Sequence, residues 1–224
     1  MNTPEEILQG LYDETLVGNA PRVLELTEEG LALGMEPQTL LFDALIPSLE
    51  EVGARFERGD FFVPEMLIAG RAMAGAMERL RPLLAETGVE TVGTFVMGTV
   101  KGDVHDIGKN LVNIMLEGAG FHVIDLGVQV PPEKFVEAIT EHKPDIVGFS
   151  AFLTTTMPMF KANMNALEKA GIRDQVIVMV GGAPVTQEYA DAVGADAYAA
   201  DASATVKKAK VLVKQHREKA KVAV

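Results

Sequence analysis

The stretch Gly102-Asp103-Val104-His105-Asp106-Ile107-Gly108 combines carboxylates, an imidazole and glycines in a way that suggests metal chemistry. Asp103 precedes His105 by two residues, within reach of the ring in an extended loop. A carboxylate on one ring nitrogen fixes the tautomer and raises the basicity of the other, which prepares a histidine to hold a metal. The ordinary role of a lone loop histidine is solvation or a local hydrogen bond. The chain has four histidines and no cysteine. Disulfides, thiolate metal sites and cysteine nucleophiles are therefore excluded. Only His122 lies near His105, and a zinc site built by protein alone needs three or four ligands. One histidine suits a metal that brings its own ring ligands, such as haem or a corrin. The residues alone leave that pair open.

Two more loops carry polar or glycine-rich groups. Ser150-Ala151-Phe152-Leu153-Thr154-Thr155-Thr156 precedes a helical pattern. Thr155 or Thr156 is expected to cap that helix, whereas Ser150 lies too early. Gly181-Gly182-Ala183-Pro184 is either a tight turn or a place where backbone approaches a bulky ligand. Phe62 and Met66 lie one helical turn apart, as core residues or as a lid over a ligand.

The elements that must position these residues fall into two kinds. Residues 1–87 have only helical periodicity. Breaks at Asn19-Ala20-Pro21, Gly34-Met35-Glu36-Pro37 and Gly59-Asp60 divide them into four helices, the third from about Thr39 to Phe56 and the fourth from about Pro64 to Ala85. Short connections suggest an antiparallel bundle. Beyond Thr87-Gly88, strands are expected at Thr91–Gly98, Phe121–Leu126, Asp145–Ser150, Gln175–Val180 and Ala195–Ala199, alternating with helices. That alternation predicts βαβ units and a parallel sheet. The fold class is α/β: an N-terminal four-helix bundle cap, 1–88, and a flavodoxin-like doubly wound five-stranded sheet, 89–224. Class membership implies strand order 2-1-3-4-5, with ligands beyond the carboxyl ends of the strands. The three loops should converge there.

Composition narrows the function. The net charge is −12 over 224 residues. Residues 1–88 hold 16 acidic and 6 basic side chains, and the remainder is nearly balanced. An acidic chain argues against nucleic acid or an anionic membrane as partner. No apolar run reaches the roughly 18 residues of a membrane span. The N-terminus lacks the pattern of a secretory signal, so a cytoplasmic location is expected. The basic run Lys207, Lys208, Lys210, Lys214, Arg217, Lys219 and Lys221 is expected to be the solvated face of a final helix.

The motifs resemble those of the cobalamin-binding corrinoid proteins of methyltransferase systems, and of the cobalamin module of methionine synthase. The family's Asp-x-His-x-x-Gly reads Asp103-Val104-His105-Asp106-Ile107-Gly108. Its Ser-x-Leu-x-Thr loop reads Ser150-Ala151-Phe152-Leu153-Thr154, and its Gly-Gly loop reads Gly181-Gly182-Ala183. Gly194–Ala202 resembles the last strand and turn, and Gly59–Met66 the segment that sets an aromatic over the corrin. Phe152 stands where leucine is usual and Ala197 where glycine is common; neither departure is expected to touch a ligand role.

The resemblance implies cobalamin or a related corrinoid as cofactor, with His105 as lower ligand to cobalt. Asp103 would hydrogen-bond His105, and Ser150 would continue the relay. The nucleotide tail would enter a slot beside Gly181 and Gly182. Gly102, Val104, Asp106, Ile107, Gly108, Leu153, Thr154, Ala183, Tyr198, Asp201 and Ala202 would complete the contacts, with Phe62 and Met66 over the upper face. The implied function is methyl carriage. A substrate:corrinoid methyltransferase would place a methyl group on cobalt(I), and a second methyltransferase would pass it to tetrahydrofolate or coenzyme M. A reductive activase would be a third partner. The chain would not be a complete enzyme alone, because two domains leave no room for a substrate-activating barrel. A cobalamin-dependent regulator would share the architecture but need an output domain.

Overall fold

The computed structural model describes residues 2–87 and 91–222. The expected boundary between 88 and 89 lies outside the described residues. Two compact units form: Met1–Glu90 with Glu117–Gly120, and Thr91–Leu116 with Phe121–Val224.

The first unit is helical. α1 spans Pro4–Leu16 and opens with a capping box between Thr3 and Glu6, which satisfies amide groups that the first turn leaves unpaired. α2 spans Ala20–Ala32 with Pro21 in its first turn. The expected third helix is present but interrupted. α3, Pro37–Leu40, leads into a π turn at Leu41–Leu45 and then α4, Ile46–Arg58. Pro47 explains the interruption. It has no amide hydrogen to donate and its ring crowds the carbonyl four residues earlier, so a wider turn relieves the conflict. Gly59 closes α4 in the left-handed conformation (φ +79°), and α5 spans Val63–Thr87. Ile7, Leu11, Leu26, Leu40, Leu45, Leu49 and Met73 are buried on the facing stripes.

The second unit is the doubly wound sheet. β1 is Thr94–Thr99, β2 His122–Asp125, β3 Ile146–Ser150, β4 Ile177–Gly181 and β5 Ala197–Ala199. All pairings are parallel in the order β2-β1-β3-β4-β5. The connecting helices are α6 (Ile107–Gly118), α7 (Pro132–His142), α8 (Pro158–Lys169) and α9 (Gln187–Val193), and α10 (Ala202–Val222) closes the chain. Strands begin later than expected. The Asp145 carboxylate caps the Thr94 amide at 2.8 Å, so residues 91–93 lie ahead of the ladder. The same side chain receives Arg217 from the basic run at 3.1 Å.

Side chains alternate between the faces of the sheet. Val96, Val147, Phe149, Val178 and Val180 pack with Phe135, Ile139, Phe160, Met164 and Val193 in one core. The other face carries Phe95, Met97, Ile146, Ile177 and Met179, all buried.

Candidate functional site

Three loops at the carboxyl ends of the strands meet at Asp103. After β1 the chain turns at Lys101-Gly102, where the Asp103 amide donates to the Val100 carbonyl at 3.1 Å. Gly102 has φ +85°, the left-handed region that glycine enters without a Cβ clash. The turn drives the Asp103 side chain inward, where it is fully buried. Its Oδ1 accepts from the His105 amide at 3.0 Å and lies 2.7 Å from His105 Nδ1. Its Oδ2 accepts from the Phe152 amide at 2.8 Å, the Leu153 amide at 3.2 Å and the Thr156 hydroxyl at 2.7 Å. The third loop is not the expected Gly181–Pro184 turn but the one between β2 and α7, where the Gln129 amide donates to the Asp103 carbonyl at 3.0 Å. Burial by itself would raise the Asp103 pKa. The donors on both oxygens outweigh it and hold the carboxyl well below the usual carboxylate range.

His105 is thus anchored on one side and open on the other. Its side chain is 43% exposed, and no described residue bonds Nε2. The Phe152 ring stacks on the imidazole, with centroids 4.3 Å apart and planes at 26°. Val104, Ile107, Phe152 and Leu153 surround this edge with between 40 and 61% of their surface exposed. Exposed apolar side chains concentrated at a loop edge mark a surface that something covers. Among the described residues, no group of three or more histidine, aspartate and glutamate side chains could hold a metal ion unaided.

A second feature runs along the sheet face that bears Phe95 and Met97. Thr99, Ser150, Gly181 and Ala199 stand in lateral register across four strands, and Met97, Gly148, Met179 and Ala197 form the row below. Small residues thus line the top of this face at β3, β4 and β5. Ala202, Thr205 and Ala209, on the buried stripe of α10, are small as well.

Several expected site residues take different places. Ser150 makes no hydrogen bond to Asp103 here; among the described residues the hydroxyl on Asp103 is that of Thr156, and Ser150 stands in the small-residue row. Thr156 is correspondingly not a helix cap, since its hydroxyl donates to Asp103 at 2.7 Å and the residue before α8 is Met157. Tyr198 stands in register with Val180 and packs against the opposite core, so its ring does not line the row. Asp201 caps α10, its Oδ1 accepting from the Ala204 amide at 2.7 Å. Met66 is fully buried, which leaves no surface for a ligand, whereas Phe62 is 65% exposed. Gly182 answers a demand of the protein's own backbone: a Cβ there would lie 1.8 Å from the Ala151 carbonyl oxygen. Asp106, Gly108, Thr154 and Ala183 are exposed at the same loop edge.

Three groups were not singled out in the sequence. Thr156 lies six residues past β3, where a helix-capping role was the simpler reading. Phe152 reads in the motif only as a departure from leucine, yet its ring stacks on the imidazole. Lys109 is buried, with Nζ 2.6 Å from Asp125 and from Asn110 Oδ1, tying the first turn of α6 to the end of β2. A charged residue within an apolar helical stripe was its available signal.

Comparison with known proteins gives this arrangement a family. Residues 93–210 match the B12 binding domain, and residues 7–81 match a second, helical model also described as a B12 binding domain. The chain belongs to the B12-binding corrinoid proteins. It is 43% identical over 215 residues to trimethylamine corrinoid protein 1 of Methanosarcina acetivorans, covering 95% of this chain and 100% of that one. It is 43% identical over 210 residues to the dimethylamine corrinoid protein of Methanosarcina barkeri, covering 93% and 98%. In structure it resembles the methanol:cobalamin methyltransferase complex MtaBC from Methanosarcina barkeri, at TM-score 0.81 and 29% identity, covering 95% of this chain and 85% of that one. The cofactor of this corrinoid protein is cobalamin or a related corrinoid. The site fits a macrocycle that brings four of its own ligands to cobalt. It offers one anchored imidazole with an open nitrogen, an apolar rim around it, and a row of small residues down one sheet face.

Proposed function

We propose that this corrinoid protein carries methyl groups between methyltransferases, with His105 Nε2 as the lower ligand to cobalt. The observation that carries the ligand assignment is the pairing of His105 Nδ1 with the fully buried Asp103 carboxylate at 2.7 Å. That pairing keeps the Nδ1 hydrogen toward the protein and leaves the Nε2 lone pair facing out.

When bound, the corrinoid supplies the cobalt centre that accepts and gives up the methyl group. The protein's own residues govern what lies beneath. Asp103 remains a carboxylate because five donor groups from four residues face it. Phe152, Leu153 and Thr156 hold Oδ2, so Oδ1 is left to His105. His105 Nδ1 faces Asp103 at 2.7 Å, which would leave Nε2 to hold the cobalt. Val104, Ile107 and Leu153 form an apolar rim beside that nitrogen. The row Thr99, Ser150, Gly181 and Ala199 leaves room for the nucleotide tail, with Gly182 shaping the loop above it.

The partners are methyltransferases. On the donor side we assign a methylated amine as the substrate class, because the similar proteins are named for trimethylamine and dimethylamine. A second methyltransferase delivers the group to tetrahydrofolate or coenzyme M, and a reductive activase restores the cofactor. The test uses holoprotein and purified methyltransferases specific for methylamines, quaternary amines or methanol, with the corrinoid spectrum followed on mixing. Rapid methylation by an amine enzyme is expected, and His105→Ala is expected to keep some cofactor while impairing turnover. Unaltered turnover of His105→Ala at saturating cofactor would refute the ligand assignment. Methylation by the methanol enzyme alone would refute the substrate class.

A further inference from the structure

We infer that Phe152 is a positioning residue for His105, one that fixes the plane in which the imidazole presents Nε2. The inference deepens the assignment of His105 as lower ligand and rests on it. A hydrogen bond from Nδ1 to Asp103 holds one point of the ring but leaves it free to rock about that bond. Phe152 removes the remaining freedom on one side: its ring lies 4.3 Å from the imidazole at 26°. The two contacts share one anchor. Asp103 Oδ1 holds Nδ1 of His105 at 2.7 Å, and Oδ2 of the same carboxylate accepts from the Phe152 amide at 2.8 Å. Imidazole, carboxylate, Phe152 backbone and phenyl ring therefore form a closed circuit. A shift of the β3–α8 loop displaces the phenyl ring and loosens the carboxylate together.

The exposure of Phe152 supports the same reading. Its side chain is 52% exposed, so it fills no core and its shape is not required for packing. A leucine there would cover some apolar surface but offer no flat face for an imidazole. Stacked aromatic pairs gain about 0.5–1.5 kcal/mol beyond their buried area, roughly a two- to tenfold bias in a conformational equilibrium.

The test compares wild type with Phe152→Leu and Phe152→Tyr, each labelled with ¹⁵N-histidine. In cofactor-free protein, the His105 ring protons are read by NMR. They should lie upfield in wild type and Phe152→Tyr, under the aromatic ring, and move downfield in Phe152→Leu. The proteins are then loaded with cob(II)alamin, and the axial nitrogen coupling is read by electron paramagnetic resonance. A ¹⁵N doublet reports histidine ligation and a ¹⁴N triplet reports the cofactor's own base. The ratio of histidine-ligated to unligated cobalt should fall about two- to tenfold in Phe152→Leu and recover in Phe152→Tyr. Unchanged ring shifts and an unchanged ratio in Phe152→Leu would overturn the positioning role while leaving His105 as ligand. A triplet in labelled wild type would instead overturn the ligand assignment.

Discussion

Replacing Asp103 with asparagine should cost far more than the loss of one charge suggests. The carboxylate receives two groups from His105 on Oδ1 and three donors from the β3–α8 loop on Oδ2. Asparagine keeps one acceptor oxygen and turns the other into a donor. If that oxygen stays with His105, the amide nitrogen faces the Phe152 and Leu153 amides, and only Thr156 can adapt by rotating its hydroxyl. If it flips, the His105 amide and Nδ1–H lose their acceptor. Either way two donors around a fully buried position go unpaired, at about 1–3 kcal/mol each, so Asp103→Asn should lose about 3–5 kcal/mol. At a urea slope of about 2 kcal/mol/M, that moves the unfolding midpoint of the cofactor-free protein by about 2 M, read by circular dichroism. The pH dependence supplies an internal check. The folded pKa of Asp103 is depressed below its unfolded value, so its contribution is fully present above about pH 5 and is lost as pH falls through 4 and below. The gap between wild type and Asp103→Asn should therefore be widest near neutrality and narrow in acid. Equal midpoints at pH 7, or a gap that stays constant from pH 6 to pH 3, would refute the hydrogen-bond account.

Thr156→Val should lose about 1.5–3 kcal/mol, the worth of a bond to a charged group, whereas Ser150→Ala should stay within about 0.5 kcal/mol; paired urea titrations separate the two, and the reverse order would restore Ser150 to the relay. Lys109→Met should cost only about 1 kcal/mol, because Asp125 reaches water and keeps its 2.8 Å bond from the Gly127 amide; a loss above about 3 kcal/mol in the same assay would show a deeper role for the ion pair. Gly182→Ala should lose about 3–5 kcal/mol, since a Cβ 1.8 Å from the Ala151 carbonyl forces the two loops apart; a soluble variant with wild-type stability would show that the loops yield freely.

The sheet was legible in the sequence for a simple reason. Buried parallel strands are continuous apolar runs, and Phe95–Met97, Ile146–Phe149 and Ile177–Val180 read that way. The positions of loops at strand ends followed, and with them Asp103 and His105. Periodicity does not report which donor reaches across fifty residues to a buried carboxylate. Ser150 and Thr156 are both hydroxyl residues in one loop, and only the path of that loop decides between them. The π turn was hidden for a related reason. Pro47 announces a disturbance, but a helix can answer it with a kink, a break or a wider turn. Tyr198 lies within a matching segment yet faces away from the small-residue row, because neighbours along a strand alternate.

The division of contacts at Asp103 bears on how the protein can hold a reactive cofactor and still let its ligand move. Oδ2, the Asp103 carbonyl and the His105 amide link three loops through backbone groups that do not involve the imidazole. Each of these bonds runs between the protein's own groups, so the loops themselves set the position of the carboxylate. The imidazole itself is held by one hydrogen bond and one exposed stack. Among the described residues none of the bonds that join the loops involves Nε2. Had Ser150 been the hydroxyl partner, it would have bonded from the tail row itself, and disturbance of the slot would have reached the carboxylate directly. Thr156 bonds from outside that row, whereas Thr99, within it, donates to the His105 carbonyl at 3.1 Å, so the row and the His105 loop stay connected.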